Sequence, residues 1–154
     1  MRLREASWTD IAAMAAIEAA SFPDDAWSEA TFWAELAQRP RRSYVVAVDE
    51  GDRVAGYAGL DLAGEVADVM TIAVDPRLRG TGAGRTLLEE LHTRAVSAGA
   101  TSVLLEVRAD NAAARHLYAR DGYQVLHRRA GYYRTTDGTP PVDALVMGKE
   151  LSSA

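Results

Sequence analysis

The segment over residues 70–85 constrains the fold of this chain more than any other part of the sequence. An apolar, β-branched run over residues 70–74 predicts a strand, and a proline two residues later stops it. Gly80, Gly82 and Gly84 then occupy alternate positions, and a helical pattern begins directly behind them. Such a loop exposes backbone N–H groups at the positive end of a helix dipole. The segment therefore predicts a binding site for a phosphate-bearing ligand.

Two familiar phosphate-binding loops do not fit this spacing. A P-loop has four residues between its glycines and then Lys and Ser or Thr, whereas only three residues separate Gly80 from Gly84 here. The dinucleotide fingerprint is G-x-G-x-x-G after the first strand of a βαβ unit, but this chain has G-x-G-x-G in its middle. A flexible turn without a ligand remains the alternative. The flanking Arg79 and Arg85 favour an anion-binding loop.

Composition limits the class of protein. The 154 residues suffice for one domain with one core, so we expect a single domain over residues 1–154. The absence of cysteine excludes disulfides and a cysteine nucleophile, and the three histidines fall in no metal-ligand spacing, so no metal is expected. A net charge of −5 argues against a nucleic-acid partner. Without a membrane-length apolar run or a signal-peptide core, we expect a cytoplasmic protein with no membrane partner.

Periodicity along the chain predicts a mixed sheet covered by helices. Alternating or β-branched runs predict strands over residues 2–5, 44–48, 54–62, 66–74, 103–107, 123–129 and 144–149. Helical spacing predicts one helix to about Ala20, one that begins at Ser28, one between the glycine loop and Gly99, and one between Asn111 and Gly122. The order of these elements indicates the α/β (α+β) class with one central sheet.

The predicted strand 103–107 carries one carboxylate among apolar residues. Alternation places Leu104, Glu106 and Arg108 on one face of the strand. Because this strand follows the glycine loop in a strand–loop–helix–strand unit, we expect Glu106 beside the end of the ligand-holding strand. Burial there would make it a better proton acceptor near neutral pH. An ion pair with Arg108 or Arg115, or exposure at a strand end, is the alternative.

Asn111 and Tyr118 form a second pair of candidate residues. They lie seven residues apart on one predicted helix, and therefore on the same side, about 10 Å apart along its axis. The Asn111 side chain suits a helix cap or a contact with a ligand carbonyl. A tyrosine phenol, with an ordinary pKa near 10, suits protonation of a departing thiolate or hydroxyl. Core packing is the alternative for Tyr118.

Five motifs occur together in this chain: Ile72-Ala73-Val74-Asp75-Pro76, Arg79-x-x-Gly82-x-Gly84, Leu105-Glu106-Val107-Arg108, Asn111-x-Ala113-Ala114 and Leu117-Tyr118-x-x-x-Gly122-Tyr123. In combination they resemble the GNAT superfamily of acetyl-CoA-dependent N-acetyltransferases, over nearly the whole chain. Within it, the chain is similar to the bacterial RimI group, which acetylates the N-terminal alanine of ribosomal protein S18. That narrower resemblance lies in residues 105–111, in Trp27-Ser28, and in Arg129 with Tyr132-Tyr133.

The resemblance implies a mixed, mostly antiparallel sheet that is splayed between the strands carrying Val74 and Glu106, with acetyl-CoA in the gap. It implies direct transfer, with Glu106 as general base and Tyr118 as general acid. The residues implied for acetyl-CoA are Ile72, Ala73, Val74, Arg79, Gly80, Thr81, Gly82, Ala83, Gly84, Arg85 and Asn111. Those implied for the acceptor are Trp27, Arg129, Tyr132 and Tyr133, which would otherwise be core or packed aromatic residues.

The function expected from these observations is acetyl transfer to a protein N-terminal α-amine, with ribosomal protein S18 as the expected partner. An α-amine, with a pKa near 8, is easier to deprotonate than lysine by about 3 kcal/mol. Lysine, a polyamine or an aminoglycoside is the alternative acceptor, and a non-catalytic acetyl-CoA sensor is the alternative class. Asp24 and Asp25 would meet a positive amine or be solvated. The sequence leaves the oligomeric state open, and a monomer is compatible with it.

Overall fold

The computed structural model describes residues 1–152, which contain a seven-stranded sheet and four α-helices. The strands are β1 (Arg2–Glu5), β2 (Arg42–Val48), β3 (Val54–Asp61), β4 (Val66–Val74), β5 (Ser102–Arg108), β6 (Gln124–Tyr133) and β7 (Val142–Glu150). The helices are α1 (Ile11–Ser21), α2 (Glu29–Leu36), α3 (Ala83–Ser97) and α4 (Ala112–Arg120). The strand order is β1-β2-β3-β4-β5-β7-β6, and only β4 and β5 are parallel. The predicted mixed, mostly antiparallel sheet is confirmed.

Alternation along the central strands gives the sheet a core on each face. Val45 and Ala47 of β2 belong to the cluster that contains Leu87, Leu88 and Leu91 of α3. The intervening residues of β2 belong to a second cluster with α1 and α2, whose members include Tyr44, Val46, Val48, Ile11, Met14 and Phe32. Burial on both faces explains why β2 and β3 are almost continuously apolar.

The parallel pair β4–β5 separates soon after it forms. The two strands pair over only three residues, the last being Asp68 opposite Leu104. β4 then continues to Val74 and β5 to Arg108, and the described residues contain no further pairing between them. Each strand stays hydrogen-bonded to its other neighbour beyond this point: β4 pairs with β3 as far as Val74, and β5 pairs with β7 as far as Arg108. The splay that the resemblance implied is therefore confirmed.

The start of α2 has the helix cap and the hydrophobic staple that the sequence predicts. Ser28 caps the helix, and its hydroxyl accepts the Thr31 N–H at 3.2 Å. The rings of Trp27 and Phe32 lie 5.5 Å apart, as in a hydrophobic staple. The end of β6 differs from prediction by more than two residues: the strand was expected to end near Arg129, but it continues through an irregular stretch that contains Gly131, at φ 58°, and ends at Tyr133.

Gly59 of β3 has no room for a side chain. A Cβ at this position would overlap the ring of Tyr44, which is fully buried and whose hydroxyl donates to Glu35 at 2.7 Å. We expect Gly59→Ala to lower the free energy of unfolding by about 1–3 kcal/mol, because the ring cannot move without loss of packing. Urea denaturation measures this change. Gly51→Ala, in the hairpin turn where a Cβ makes ordinary contacts, is the control, and equal effects of the two variants would contradict the packing.

Candidate active site

The loop that follows β4 is shaped by Asp75. Its carboxylate accepts the Arg77 backbone N–H at 2.9 Å and pairs with the Arg77 guanidinium at 2.8 Å. The Arg77 side chain, followed by its N–H, lowers the pKa of Asp75 to about 2. Gly80 and Gly82 then adopt positive φ angles of 78° and 89°, and Gly82 is the N-cap of α3. The first N–H groups of α3 therefore have no carbonyl partner within the helix.

A cleft of about 1000 Å³ lies between β4, this loop and α4, and we call it the glycine-loop cleft. Of the eleven residues that the sequence assigned to acetyl-CoA, ten line it: Ile72, Ala73, Val74, Arg79, Gly80, Thr81, Gly82, Gly84, Arg85 and Asn111. The exception is Ala83, whose side chain is 3% exposed and lies in the core. Helix α3 begins at this residue, and Ala83 does not line the cleft.

Asn111 combines the two roles that the sequence left open. Its side-chain oxygen accepts the Ala114 N–H at 3.1 Å, so it caps α4. It also lines the cleft, where the amide NH₂ is the part of the side chain not used by the cap. At Gly84, α3 lies close to α4, and a Cβ there would make an ordinary contact, at 3.4 Å, with a Leu117 methyl carbon.

A second cleft, of about 830 Å³, lies where β5 diverges from β4, and we call it the Glu106 cleft. It is lined by both predicted catalytic residues and all four predicted acceptor residues, which are Glu106, Tyr118, Trp27, Arg129, Tyr132 and Tyr133. Ile72, Asn111 and Tyr118 line both clefts. The two spaces therefore adjoin, and Tyr118 stands where they meet.

Glu106 is exposed, so of the two environments that the sequence left open the buried one does not occur. Its side chain is 34% exposed, because β4 no longer runs beside β5 at this height of the sheet. The carboxylate pairs with Arg129, with the Arg129 Nε 3.4 Å from Glu106 Oε1. Neither alternative partner is used, since Arg108 pairs with Asp24 and Asp110, and Arg115 donates to a backbone carbonyl. Glu106 is thus accessible to a molecule that enters the cleft.

Tyr118 is both a core residue and a cleft residue. It is 5% exposed, and its ring lies 5.6 Å from that of Tyr123. Burial, assisted by Tyr133, raises the pKa of the Tyr118 phenol above its usual value. The hydroxyl therefore keeps its proton over the physiological range, as a proton donor requires.

The aromatic residues at the end of β6 contact the arginines of the Glu106 cleft. The Arg108 guanidinium lies 5.5 Å from the centre of the Tyr133 ring, and that of Arg129 lies 5.4 Å from Tyr132. The two tyrosine rings meet edge to face at 5.2 Å. Burial raises the pKa of Tyr133 to about 12. These residues form one wall of the cleft.

The sequence left the role of Asp24 open and suggested Arg108 only as an alternative partner for Glu106. Asp24 accepts the Thr136 N–H at 2.9 Å and the Thr136 hydroxyl at 2.8 Å, and it pairs with Arg108 at 3.0 Å. It thereby joins the α1–α2 loop to the β6–β7 loop. Asp25 lines both clefts, and burial raises its pKa. Only the neighbouring acidic pair in the sequence hinted at these contacts.

Comparisons with known proteins agree with this architecture. Residues 11–123 match the family model described as Acetyltransferase (GNAT) family. The chain is 37% identical over 148 residues to the ribosomal protein bS18-alanine N-acetyltransferase of Salmonella typhimurium, covering 95% of each protein. It is 42% identical over 131 residues to N-alpha-acetyltransferase RimI of Mycobacterium tuberculosis, covering 82% of this chain and 77% of that one. The crystal structure of the ribosomal-protein-S18-alanine N-acetyltransferase from Escherichia coli has a TM-score of 0.85, with 33% identity and coverage of 99% and 95%.

The chain therefore belongs to the GNAT family of acetyltransferases, and it is an acyltransferase. Its named relatives within that family are of the RimI type. GNAT acetyltransferases use acetyl-CoA. In the glycine-loop cleft, the space beside Gly80 and Gly82 is open, since a Cβ at either position would meet no atom within 4 Å. Residues 1–152 contain no cluster of acids and histidines that could hold a metal ion. No helix in that range is long and apolar enough to cross a membrane.

The pairing of Asp75 with Arg77 predicts a titration that can be measured directly. Because the folded pKa of about 2 lies below the ordinary 3.8, ionised Asp75 contributes fully to stability above about pH 4. This contribution is lost as the pH falls through about 2. We expect the carboxyl ¹³C signal of Asp75 to show that low midpoint by NMR. Arg77→Ala should move the midpoint toward 3.8 more than Arg79→Ala does, and a wild-type midpoint near 3.8 would contradict the pairing.

Proposed function

We propose that this enzyme transfers the acetyl group of acetyl-CoA to the N-terminal α-amine of a protein, with ribosomal protein S18 as the leading acceptor. The observation that carries the proposal is the meeting of the two clefts at Tyr118, with the glycine loop in one and an accessible Glu106 in the other. The names of the relatives that match 95% of the chain support the choice of acceptor. Cytoplasm is the compartment in which such an acceptor is made.

The glycine-loop cleft supplies the groups that acetyl-CoA requires. The first-turn N–H groups of α3, with Arg79 and Arg85, suit its pyrophosphate. Residues 72–74 have no strand neighbour on the β5 side, so their free backbone groups suit the pantetheine arm and the acetyl oxygen. The Asn111 amide suits the same arm. When bound, acetyl-CoA supplies an activated acetyl thioester.

The proposed mechanism needs one proton acceptor and one proton donor. Glu106 accepts one proton from the acceptor's ammonium group, directly or through a water molecule, and the neutral amine nitrogen then bonds to the acetyl carbon. The nitrogen releases a second proton to water as the amide forms. Backbone N–H groups of residues 72–74 stabilise the negative charge that develops on the acetyl oxygen. As the carbon–sulfur bond breaks, Tyr118 donates its proton to the sulfur. Arg129, paired with Glu106, orients the carboxylate.

The preference for an α-amine follows from its acidity. An α-ammonium group has a pKa near 8 and loses its proton to a carboxylate more easily than lysine, by about 3 kcal/mol. The aromatic wall of Tyr132 and Tyr133 suits the backbone of a short peptide that enters by its end. Lysine, a polyamine or an aminoglycoside would use the same base, so the acceptor has to be identified by assay.

Incubation with acetyl-CoA and a panel of amines tests the acceptor class. The panel contains an Ala-starting peptide with the N-terminal sequence of ribosomal protein S18, the same peptide with a blocked N-terminus and an added lysine, spermidine and an aminoglycoside. We expect mass spectrometry to find acetyl only on the free α-amine, because that amine is the most readily deprotonated. Acetyl on lysine or on a small amine alone would reject the proposed acceptor and keep the family assignment.

Removal of the proposed base gives a second test. We expect Glu106→Gln to lower kcat by about 100-fold or more, because glutamine cannot accept the amine proton. The Kd for acetyl-CoA should stay within about twofold, since Glu106 does not line the glycine-loop cleft. Glu150→Gln, at the exposed end of β7, is the matched control and should have wild-type kinetics. Near-normal turnover of Glu106→Gln at pH 7 would remove Glu106 from this role.

A further inference from the structure

A buried carboxylate lies beneath the Glu106 cleft and takes no part in the mechanism above. Glu18, on α1, is 2% exposed. Its Oε1 accepts hydrogen bonds from the Tyr57 hydroxyl and, at 2.9 Å, from the Thr71 hydroxyl, and its Oε2 accepts the Trp27 N–H at 3.2 Å. These three groups come from β3, β4 and the α1–α2 loop, so the carboxylate is fixed from three sides.

The environment of Glu18 differs from that of the other buried acids in one respect. Asp10 pairs with Arg4, Glu35 pairs with Arg42, and Asp61 pairs with Arg41 and Arg42. Within residues 1–152, Glu18 is the buried carboxylate that forms no ion pair with arginine, lysine or histidine. Neutral N–H and O–H groups stabilise an anion but do not cancel its charge. A negative charge in a water-poor environment is costly unless a cation approaches it.

Glu18 lines the Glu106 cleft, and the charges around that cleft favour a cationic ligand. The charged residues that line it are Glu18, Asp25, Asp68, Glu106, Arg108 and Arg129. Both arginines are already paired with acids, Arg129 with Glu106 and Arg108 with Asp24 and Asp110. Four acids therefore stand against two arginines in the lining, so the cleft carries an excess of negative charge.

We propose that the Glu18 carboxylate binds the acceptor's ammonium group by electrostatic attraction. An α-amine reaches the enzyme mainly protonated at neutral pH. The fixed carboxylate of Glu18 attracts this cation to the floor of the cleft, and Glu106 then receives its proton. Glu18 is therefore a binding residue for the acceptor, distinct from the base. The proposal rests on the proposed function only in that the acceptor is an amine.

Steady-state kinetics of Glu18→Gln with the Ala-starting peptide tests the proposal. We expect the KM for the peptide to rise about tenfold, equivalent to about 1.4 kcal/mol, with kcat within about threefold of wild type. The Kd for acetyl-CoA should not change, because Glu18 does not line the glycine-loop cleft. The inhibition constant of the acetylated peptide, which lacks the positive charge, should also stay the same.

Glu35→Gln is the matched control. Glu35 also accepts a tyrosine hydroxyl, that of Tyr44 at 2.7 Å, and it is also buried, but it lies outside both clefts and pairs with Arg42. The Glu35→Gln variant shows what removal of a buried carboxylate does when that carboxylate lies outside the clefts. We expect the KM of this variant for the peptide to equal that of wild type. A KM unchanged in Glu18→Gln would overturn the proposal. Equal weakening of peptide and acetylated peptide would also overturn it, because Glu18 would then only shape the cleft.

A binding measurement keeps the proposal testable if Glu18→Gln does not fold or if no transfer is observed. The probes are the Ala-starting peptide and its analogue with a hydroxyl in place of the ammonium group. We expect calorimetry to give at least about tenfold tighter binding of the ammonium peptide, both to the wild type and to Glu106→Gln. Loss of that preference in Glu106→Gln would assign the attraction to Glu106 and reject Glu18. Transfer to lysine or spermidine alone would reject the proposed acceptor, and the same kinetics with that amine would still test Glu18.

Discussion

The separation of β4 from β5 beyond Asp68 creates the space in which both clefts lie. Two sheet strands can separate in this way only if each keeps its hydrogen bonds elsewhere. β3 supplies them to β4, and β7 supplies them to β5 along its whole length. Only a few backbone groups near residues 72–74 are left without a partner strand on the β5 side. These are the groups that we propose to bind acetyl-CoA. The same opening exposes Glu106.

The two cores keep the strands in these positions. On one face, the leucines of α3 pack under β2 to β5, and on the other, α1 and α2 pack over β2 to β4. Glu18 crosses this second layer and binds groups of β3, β4 and the α1–α2 loop. The wall of the Glu106 cleft is thereby joined to the sheet by hydrogen bonds as well as by apolar contact.

Features encoded by neighbouring residues were predictable from the sequence, and features that depend on distant segments were not. The glycine loop, the Ser28 cap and the Asn111 cap each depend on residues within a few positions of one another. The accessibility of Glu106 depends on where β4 ends its pairing and on Arg129, 23 positions further along the chain, so alternation alone could not decide between burial and exposure. The sequence places Glu18 on an apolar helix face, which marks it as unusual. It could not predict the hydrogen-bond partners of Glu18, because Tyr57 and Thr71 lie 39 and 53 positions away.

The two clefts differ in how the chain supplies them. Apart from residues 21–25, the glycine-loop cleft is lined by two segments, residues 72–85 and 108–121, that α3 and β5 join. The Glu106 cleft takes its walls from α1, β4, β5, α4, β6 and β7, which are spread over most of the chain. Substitutions on β6 or near the start of α2 therefore change the surface that meets the amine without touching the loop after β4. Such a division lets the range of acceptors diverge during evolution while the means of holding the acetyl donor is inherited intact.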